Sequence, residues 1–319
     1  MNKERSLQLN KPKFGGKWTK SDVQVFLMSS VGLLCLIVIS YLPMCGIVLA
    51  FKDGDLQLNI LNAILRSDWV GLDNFKAFFV DPNFYSVLWN TLGLNILMLL
   101  ITFPITLIFA LLMCEVRHRR YRNALQTVVA FPHFISWTIF AGMFIAMADM
   151  STGILNPILE ALGIMDAKNP SNLLEARYFW SEIIICSVIK DTGWSCIIYV
   201  AAIGNIDPCL YEAAKLDGAN RVQVALKITL PMISSTITVF LLLAISRLLS
   251  NSFEQFYAFQ NITNLDKSEV IATYVYKMGI SNRRYSYTSA LGLFNSVVAI
   301  VLLAGSNFVS KKLTGRGIL

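Results

Sequence analysis

The sequence predicts an all-α integral membrane protein with six transmembrane helices and both termini in the cytoplasm. Three observations predict it. Of 319 residues 55% are hydrophobic and only 15% charged, whereas soluble domains carry about 25% charged residues. Several apolar runs reach the ~20 residues that span a ~30 Å hydrocarbon layer as a helix. The 27 Lys and Arg residues are unevenly placed: sixteen fall in four segments on one side of the predicted spans, nine in the three segments on the other side, and two within spans. Positive charge marks the cytoplasmic side, which gives an N-in, C-in topology.

Residues 1–22 read as a cytoplasmic tail with Lys3, Arg5, Lys11, Lys13, Lys17 and Lys20. The first span is predicted at about 23–50, with a bend at Pro43. This run is too long for a signal peptide and is read as a retained span. The outer segment 51–84 is dense in aromatics, including Trp69, Phe75, Phe78, Phe79 and Phe84, which suits a membrane–water interface. The second span is predicted at about 86–114 with Pro104 inside it. Arg117, Arg119, Arg120 and Arg122 follow. They are read as a cytoplasmic anchor in preference to a phosphate site. The third span is predicted at about 124–148, then a loop with Gly153, Pro157, Gly163 and Pro170. The fourth is predicted at about 179–203, the fifth at about 231–249 and the sixth at about 287–309, with a tail at 310–319. No repeat or linker divides the membrane body, 23–309, which is treated as one domain.

Several function classes are excluded. The chain has no G-x-x-x-x-G-K-[ST] phosphate loop. No Ser/His/Asp set or carboxylate pair stands at catalytic spacing, so the chain is read as non-catalytic. Six scattered cysteines without a C-x-x-C pair, and only His118 and His133, indicate neither a disulfide framework nor a metal site. A net charge of +7 distributed by membrane side argues for topology over nucleic acid.

The most informative stretch is Glu212 to Pro231, EAAKLDGANRVQVALKITLP, within the polar loop 205–231. Leu210 to Leu216 are good helix formers, and Asp217-Gly218 reads as a stop. A second helical run, Arg221 to Thr229, puts Val222, Ala225 and Leu226 on one face. Pro231 then opens the next span, in a first turn where proline is tolerated. The prediction is a helix–turn–helix elbow at the membrane surface.

Glu212, Ala213, Ala214, Asp217, Gly218, Ala219, Ile228, Leu230 and Pro231 match the E-A-A…D-G-A…I-x-L-P pattern of the EAA loop of importer permeases of the ATP-binding cassette (ABC) superfamily. The resemblance covers nearly the whole chain and is closest to sugar-type permeases of the maltose and complex-oligosaccharide kind in bacteria. The segment VGLDNF before the second span also resembles that group. One departure is Ala225, where sugar-type members usually carry a large aromatic. The resemblance implies a type I ABC importer permease fold with a cytoplasmic coupling helix, in the bacterial cytoplasmic membrane. It implies a second homologous permease, two ATP-binding subunits that hold ATP and Mg and dock on the EAA loop, and an external solute-binding protein that delivers an oligosaccharide. This chain itself is expected to hold no cofactor.

Polar groups inside spans mark substrate paths or packing pairs. The fourth span carries Ser187, Lys190, Asp191, Trp194 and Ser195. Positions 187, 191, 194 and 195 share a helical face. Arg247, Asn251 and Glu254 follow the fifth span at one-turn spacing. Sugars need hydrogen-bonding groups for their hydroxyls and flat apolar faces for their C–H surfaces, and Ser187, Lys190, Asp191, Trp194, Arg247 and Asn251 supply that mixture. Two other readings stand beside it: buried ion pairs Lys190–Asp191 or Asp191–Arg247 that fix packing, and an ion-coupled secondary transporter with Lys190 and Asp191 as a proton relay.

Overall fold

The computed structural model describes residues 20–55, 60–116, 118–164, 172–250 and 252–314. The tail through residue 19, Arg117, Pro170, Asn251 and residues 315–319 lie outside the described residues. The described residues are helical, with one isolated β-bridge between Lys52 and Trp69.

Two units are described separately, one up to Val48 and one from Leu49 onward. The first unit consists of most of helix α1, Lys20–Phe51. Its apolar side chains, among them Phe26, Leu34, Ile39 and Leu42, are exposed around the helix, as expected of a span that meets lipid. A π-helical turn, Ile37–Tyr41, precedes Pro43, and a 3-10 segment, Cys45–Phe51, follows it.

In the second unit the principal helices are α2 Pro82–Glu115, α3 Arg119–Phe134, α4 Trp137–Ala148, α5 Ala176–Gly204, α6 Pro208–Leu216, α7 Arg221–Met232, α8 Ser234–Ser246, α9 Phe253–Phe259 and α10 Tyr285–Thr314. Helices α1, α2, α5 and α10 are each long and apolar enough to cross a membrane. Two bent pairs, α3 with α4 and α7 with α8, bring the total up to six if each is one span. The length of α2 shows that Pro104 does not end a helix whose neighbours hold it.

Three expectations are corrected. The third span does not run straight from 124 to 148: α3 begins at Arg119 and meets α4 at 95°. Pro132 has no N–H to donate, residues Phe131–Phe134 tighten into a 3-10 turn, and Ser136 restarts the helix by accepting from the Ile139 N–H at 3.3 Å. The fifth span does not open at Pro231. That proline lies inside α7, preceded by a π-helical segment, Ala225–Thr229, and the 69° bend comes at Ile233. The π register is the physical consequence of a proline that cannot bond the preceding turn. Finally, α8 ends at Ser246 and Glu254 lies in α9, so residues 247 and 254 do not follow one another along a single helix.

The aromatics of segment 51–84 divide: Trp69 and Phe79 are exposed, as an interface belt requires, while Phe78 and Phe84 enter a core. Phe78 and Phe84 are fully buried and pack on Phe294 of α10, with Phe78–Phe294 ring centroids 5.3 Å apart. Asp81 caps α2 through the Asn83 N–H at 2.9 Å and accepts from the Tyr274 and Tyr287 hydroxyls at 2.5 and 3.1 Å. Burial pushes its carboxyl up, but the Tyr274 hydroxyl, the Asn83 N–H, the Tyr287 hydroxyl and Arg284 outweigh that and hold it below the ordinary carboxylate range. Asp55 likewise accepts from the Ser286 N–H at 2.8 Å, at the start of α10. These carboxylates tie the N-terminal ends of α2 and α10 to residues far away in sequence.

Candidate functional site

The elbow forms as the sequence predicts. Asp207 starts α6 by accepting from the Cys209 N–H at 2.9 Å, with Pro208 in the first turn. Helix α6 closes through Gly218, whose φ of +75° is the left-handed conformation that glycine adopts freely. Ala219 N–H donates to Ala214 O at 2.9 Å and Gly218 N–H to Lys215 O at 3.2 Å, so the last carbonyls are satisfied. Asn220 and Gln223 then form a reciprocal capping box for α7, at 2.9 and 2.8 Å. That N-x-x-Q signal is visible in the sequence, and its role was missed. Only residues 205–207 separate α6 from the end of α5.

Ala214 is buried, while Glu212, Ala213 and Asp217 are exposed. Leu216, at the tip, is 88% exposed, and Val222 and Leu226 are exposed beside it. Residues of the elbow line a cavity of about 690 Å³ together with α2 and α5, with Leu111, Ile203, Tyr211, Ala225 and Arg122 among its walls. Ala225 therefore leaves space where the resemblance leads one to expect a large aromatic.

Helix α5 grips the break in the third span. Lys190 is 3% exposed, and its Nζ donates to the carbonyls of Pro132, His133 and Ile135 at 3.2, 2.8 and 2.5 Å. It also lies 5.1 Å from the centre of the Trp137 ring. Gly193 permits the closest approach: a Cβ there would stand 2.1 Å from the Val129 carbonyl oxygen. Asp191 pairs with His133 Nδ1 at 3.0 Å, and the His133 ring stacks on Trp194 at 5.0 Å and 2°. Ser187 is buried, donates to Ile183 O and accepts from Gln255 Nε2 at 2.7 Å.

The predicted site residues thus separate. Ser187 and Lys190 turn into the protein, and Asp191 meets His133 rather than Lys190 or Arg247. Trp194 and Arg247 come together on a second cavity of about 480 Å³, with Thr102, Ser195 and Tyr199. This cavity sits beside the middle of α2, between α5 and α8. Sequence reasoning missed His133, Gln255 and Thr102. His133 was weighed only with His118 as a metal ligand, and nothing local announces a partner 58 residues away.

Residues 77–315 match the model of the family described as binding-protein-dependent transport system inner membrane component. The chain is 42% identical to protein LplB of Bacillus subtilis, over 94% of this chain and 92% of that one. It is 38% identical to the polygalacturonan/rhamnogalacturonan transport system permease protein YteP of the same organism, over 92% and 89%. A crystal structure of a bacterial alginate ABC transporter in complex with alginate pentasaccharide-bound periplasmic protein contains a chain that superposes with a TM-score of 0.81, at 34% identity over 94% of this chain and 98% of that one. By the family match and by these relatives, the chain belongs to the binding-protein-dependent transport system inner membrane components, the multi-pass permeases of ABC importers.

Proposed function

We propose that this permease carries an oligosaccharide across the bacterial cytoplasmic membrane, as one half of a pair with a homologous permease. In this reading it has six spans, with each bent pair counted as one, and both termini in the cytoplasm. A solute-binding protein delivers the sugar to the outer face. Two ATP-binding subunits bind ATP and Mg and dock on the elbow. The relatives support the cargo class: one is named for polygalacturonan and rhamnogalacturonan transport and another is an alginate transporter.

The observation that carries the coupling role is the uncovered elbow tip. Leu216 at 88% exposure, next to exposed Glu212 and Asp217, is an apolar anchor inside a charged rim, the composition of a small docking surface. Glu212, Ala213, Ala214, Asp217, Gly218, Ala219, Ile228, Leu230 and Pro231 build or shape this elbow. ATP-driven closure of the two subunits moves α6, and the short connection 205–207 passes that motion to α5. The spans then alternate between inward and outward cavities. ATP and the loaded binding protein both act by preferring the outward form.

The cavity beside Trp194 and Arg247 is the sugar path in this reading. Ser187 and Lys190 support its wall, and Asp191 orients His133 beneath Trp194. The ion-coupled alternative has no support from the family relationship, and both of its residues are engaged in packing contacts.

Gentle affinity purification from the native membrane, followed by intact-complex mass measurement, tests the assembly. Two different permeases with two ATP-binding subunits are expected. Glu212→Lys should leave the permease pair and strip off the ATP-binding subunits. A chain that emerges alone, or only with copies of itself, overturns the reading.

A further inference from the structure

The second cavity carries more information than its size. Arg247 lines it, and its guanidinium makes no hydrogen bond or ion pair among the described residues. Its position is fixed by the fold: it is the C-cap of α8, and Asn95 of α2 donates to the Leu248 carbonyl at 2.8 Å. The cavity lies beside residues 98–106 of α2, near the middle of that 34-residue helix. A cation at that depth is costly unless it faces a water-filled path or an anion. The C-terminus of α8 favours a cation there. That alone does not account for what converges on it.

Three further residues line the same space. Thr102 is one, and its Oγ1 is buried beneath the cavity surface without a hydrogen-bond partner. Trp194 is 45% exposed, and one face of its ring is already fixed by the parallel His133 ring. Ser195 adds a second hydroxyl. A planar guanidinium, a preset indole and the neighbouring Ser195 hydroxyl match one ligand chemistry: a sugar ring that carries a carboxylate. The guanidinium fork takes the carboxylate in a bidentate pair, the indole covers the C–H face, and the hydroxyl meets the ring oxygens. Neutral sugars would leave the Arg247 charge unanswered.

We propose that this cavity is a subsite for a uronate unit, with Arg247 as its carboxylate anchor and Trp194 as its stacking platform, so that the cargo is an acidic oligosaccharide. The inference rests on the oligosaccharide-importer reading and narrows it.

The test uses the complete importer complex, purified without its solute-binding protein and held with a nonhydrolysable ATP analogue. Equilibrium dialysis measures binding of three probes: tetragalacturonate, its fully methyl-esterified form and maltotetraose. Tetragalacturonate should bind about tenfold more tightly than the ester, the scale of one charge-assisted contact. Arg247→Gln should erase that difference by weakening the acid alone. Arg247→Lys, which keeps the charge and loses the fork, should retain part of it and guards against a misassembled variant. An acid-to-ester ratio unchanged in Arg247→Gln overturns the proposal. Binding of maltotetraose or the ester in preference to the acid also overturns it and leaves the importer reading standing. Binding of none of the three overturns both.

Discussion

The two bends that divide the third and fifth spans solve the same problem differently. At Ile233 the bend is 69° and backbone bonds made by Ile233 itself hold both sides of it. Ile233 N–H donates to Thr229 O at 3.1 Å, and Ile237 N–H donates to Ile233 O at 3.0 Å. The elbow side needs no outside help beyond the Tyr211–Thr229 hydroxyl contact at 3.3 Å. Between Phe134 and Trp137 the turn is 95°, and the carbonyls of Pro132, His133 and Ile135 are all taken by one lysine from another helix. Irregular backbone at membrane depth is tolerated only where protein satisfies it. A moderate bend can satisfy itself, whereas a right-angled break borrows its donors. That is why the break, and not the elbow, carries an intramembrane cation.

This difference predicts a ranking of damage. Gly193→Ala should be worst, because the new Cβ meets the Val129 backbone at 2.1 Å and neither helix can yield by a side-chain rotation. A loss of about 3 kcal/mol is expected, seen as a collapse of the thermal midpoint and of monodisperse yield in detergent. Lys190→Met should come next. It strands the His133 and Ile135 carbonyls, while Pro132 O keeps the Ile135 N–H at 3.2 Å, at a cost of about 2 kcal/mol. Membrane abundance and transport should fall together. A Lys190→Met protein with normal abundance and no transport would instead move Lys190 into the sugar path and end the comparison.

The sequence made the elbow legible because its signals are local. A helix former run, Asp-Gly and a proline occur within 25 residues, and each acts on its own backbone. It also marked α5 as unusual, since Lys190 and Asp191 stand out in an apolar span. What it did not reveal was their partners. The i, i+4 arithmetic places Asp191 and Trp194 on one face, but the histidine that engages both comes from the break in α3. The break itself was hidden for a related reason. Phe131–Phe134 reads as an apolar stretch with a tolerable proline, and only the three-dimensional placement of Lys190 explains how the chain can turn there. Phe78 and Phe84 could not be told from the exposed Trp69 and Phe79, because composition at an interface resembles composition in a core until Phe294 is brought across to them.

Gly218→Ala is the mildest test and the sharpest for the elbow. Nothing lies within 4 Å of the added Cβ, so the cost is the left-handed backbone alone, at about 1 kcal/mol. That strain falls on the turn between α6 and α7, outside the network around Lys190. The thermal midpoint of the permease should therefore hardly move. The turn should open, however, and shift Leu216 and Glu212 relative to α7. In the assembled importer the expected result is weaker retention of the ATP-binding subunits during purification, with the permease pair intact. If Gly218→Ala lowered the midpoint as far as Gly193→Ala does, the elbow would prove to be as deeply tied into the membrane core as the break, and a bend that satisfies its own backbone could no longer be told from one that does not.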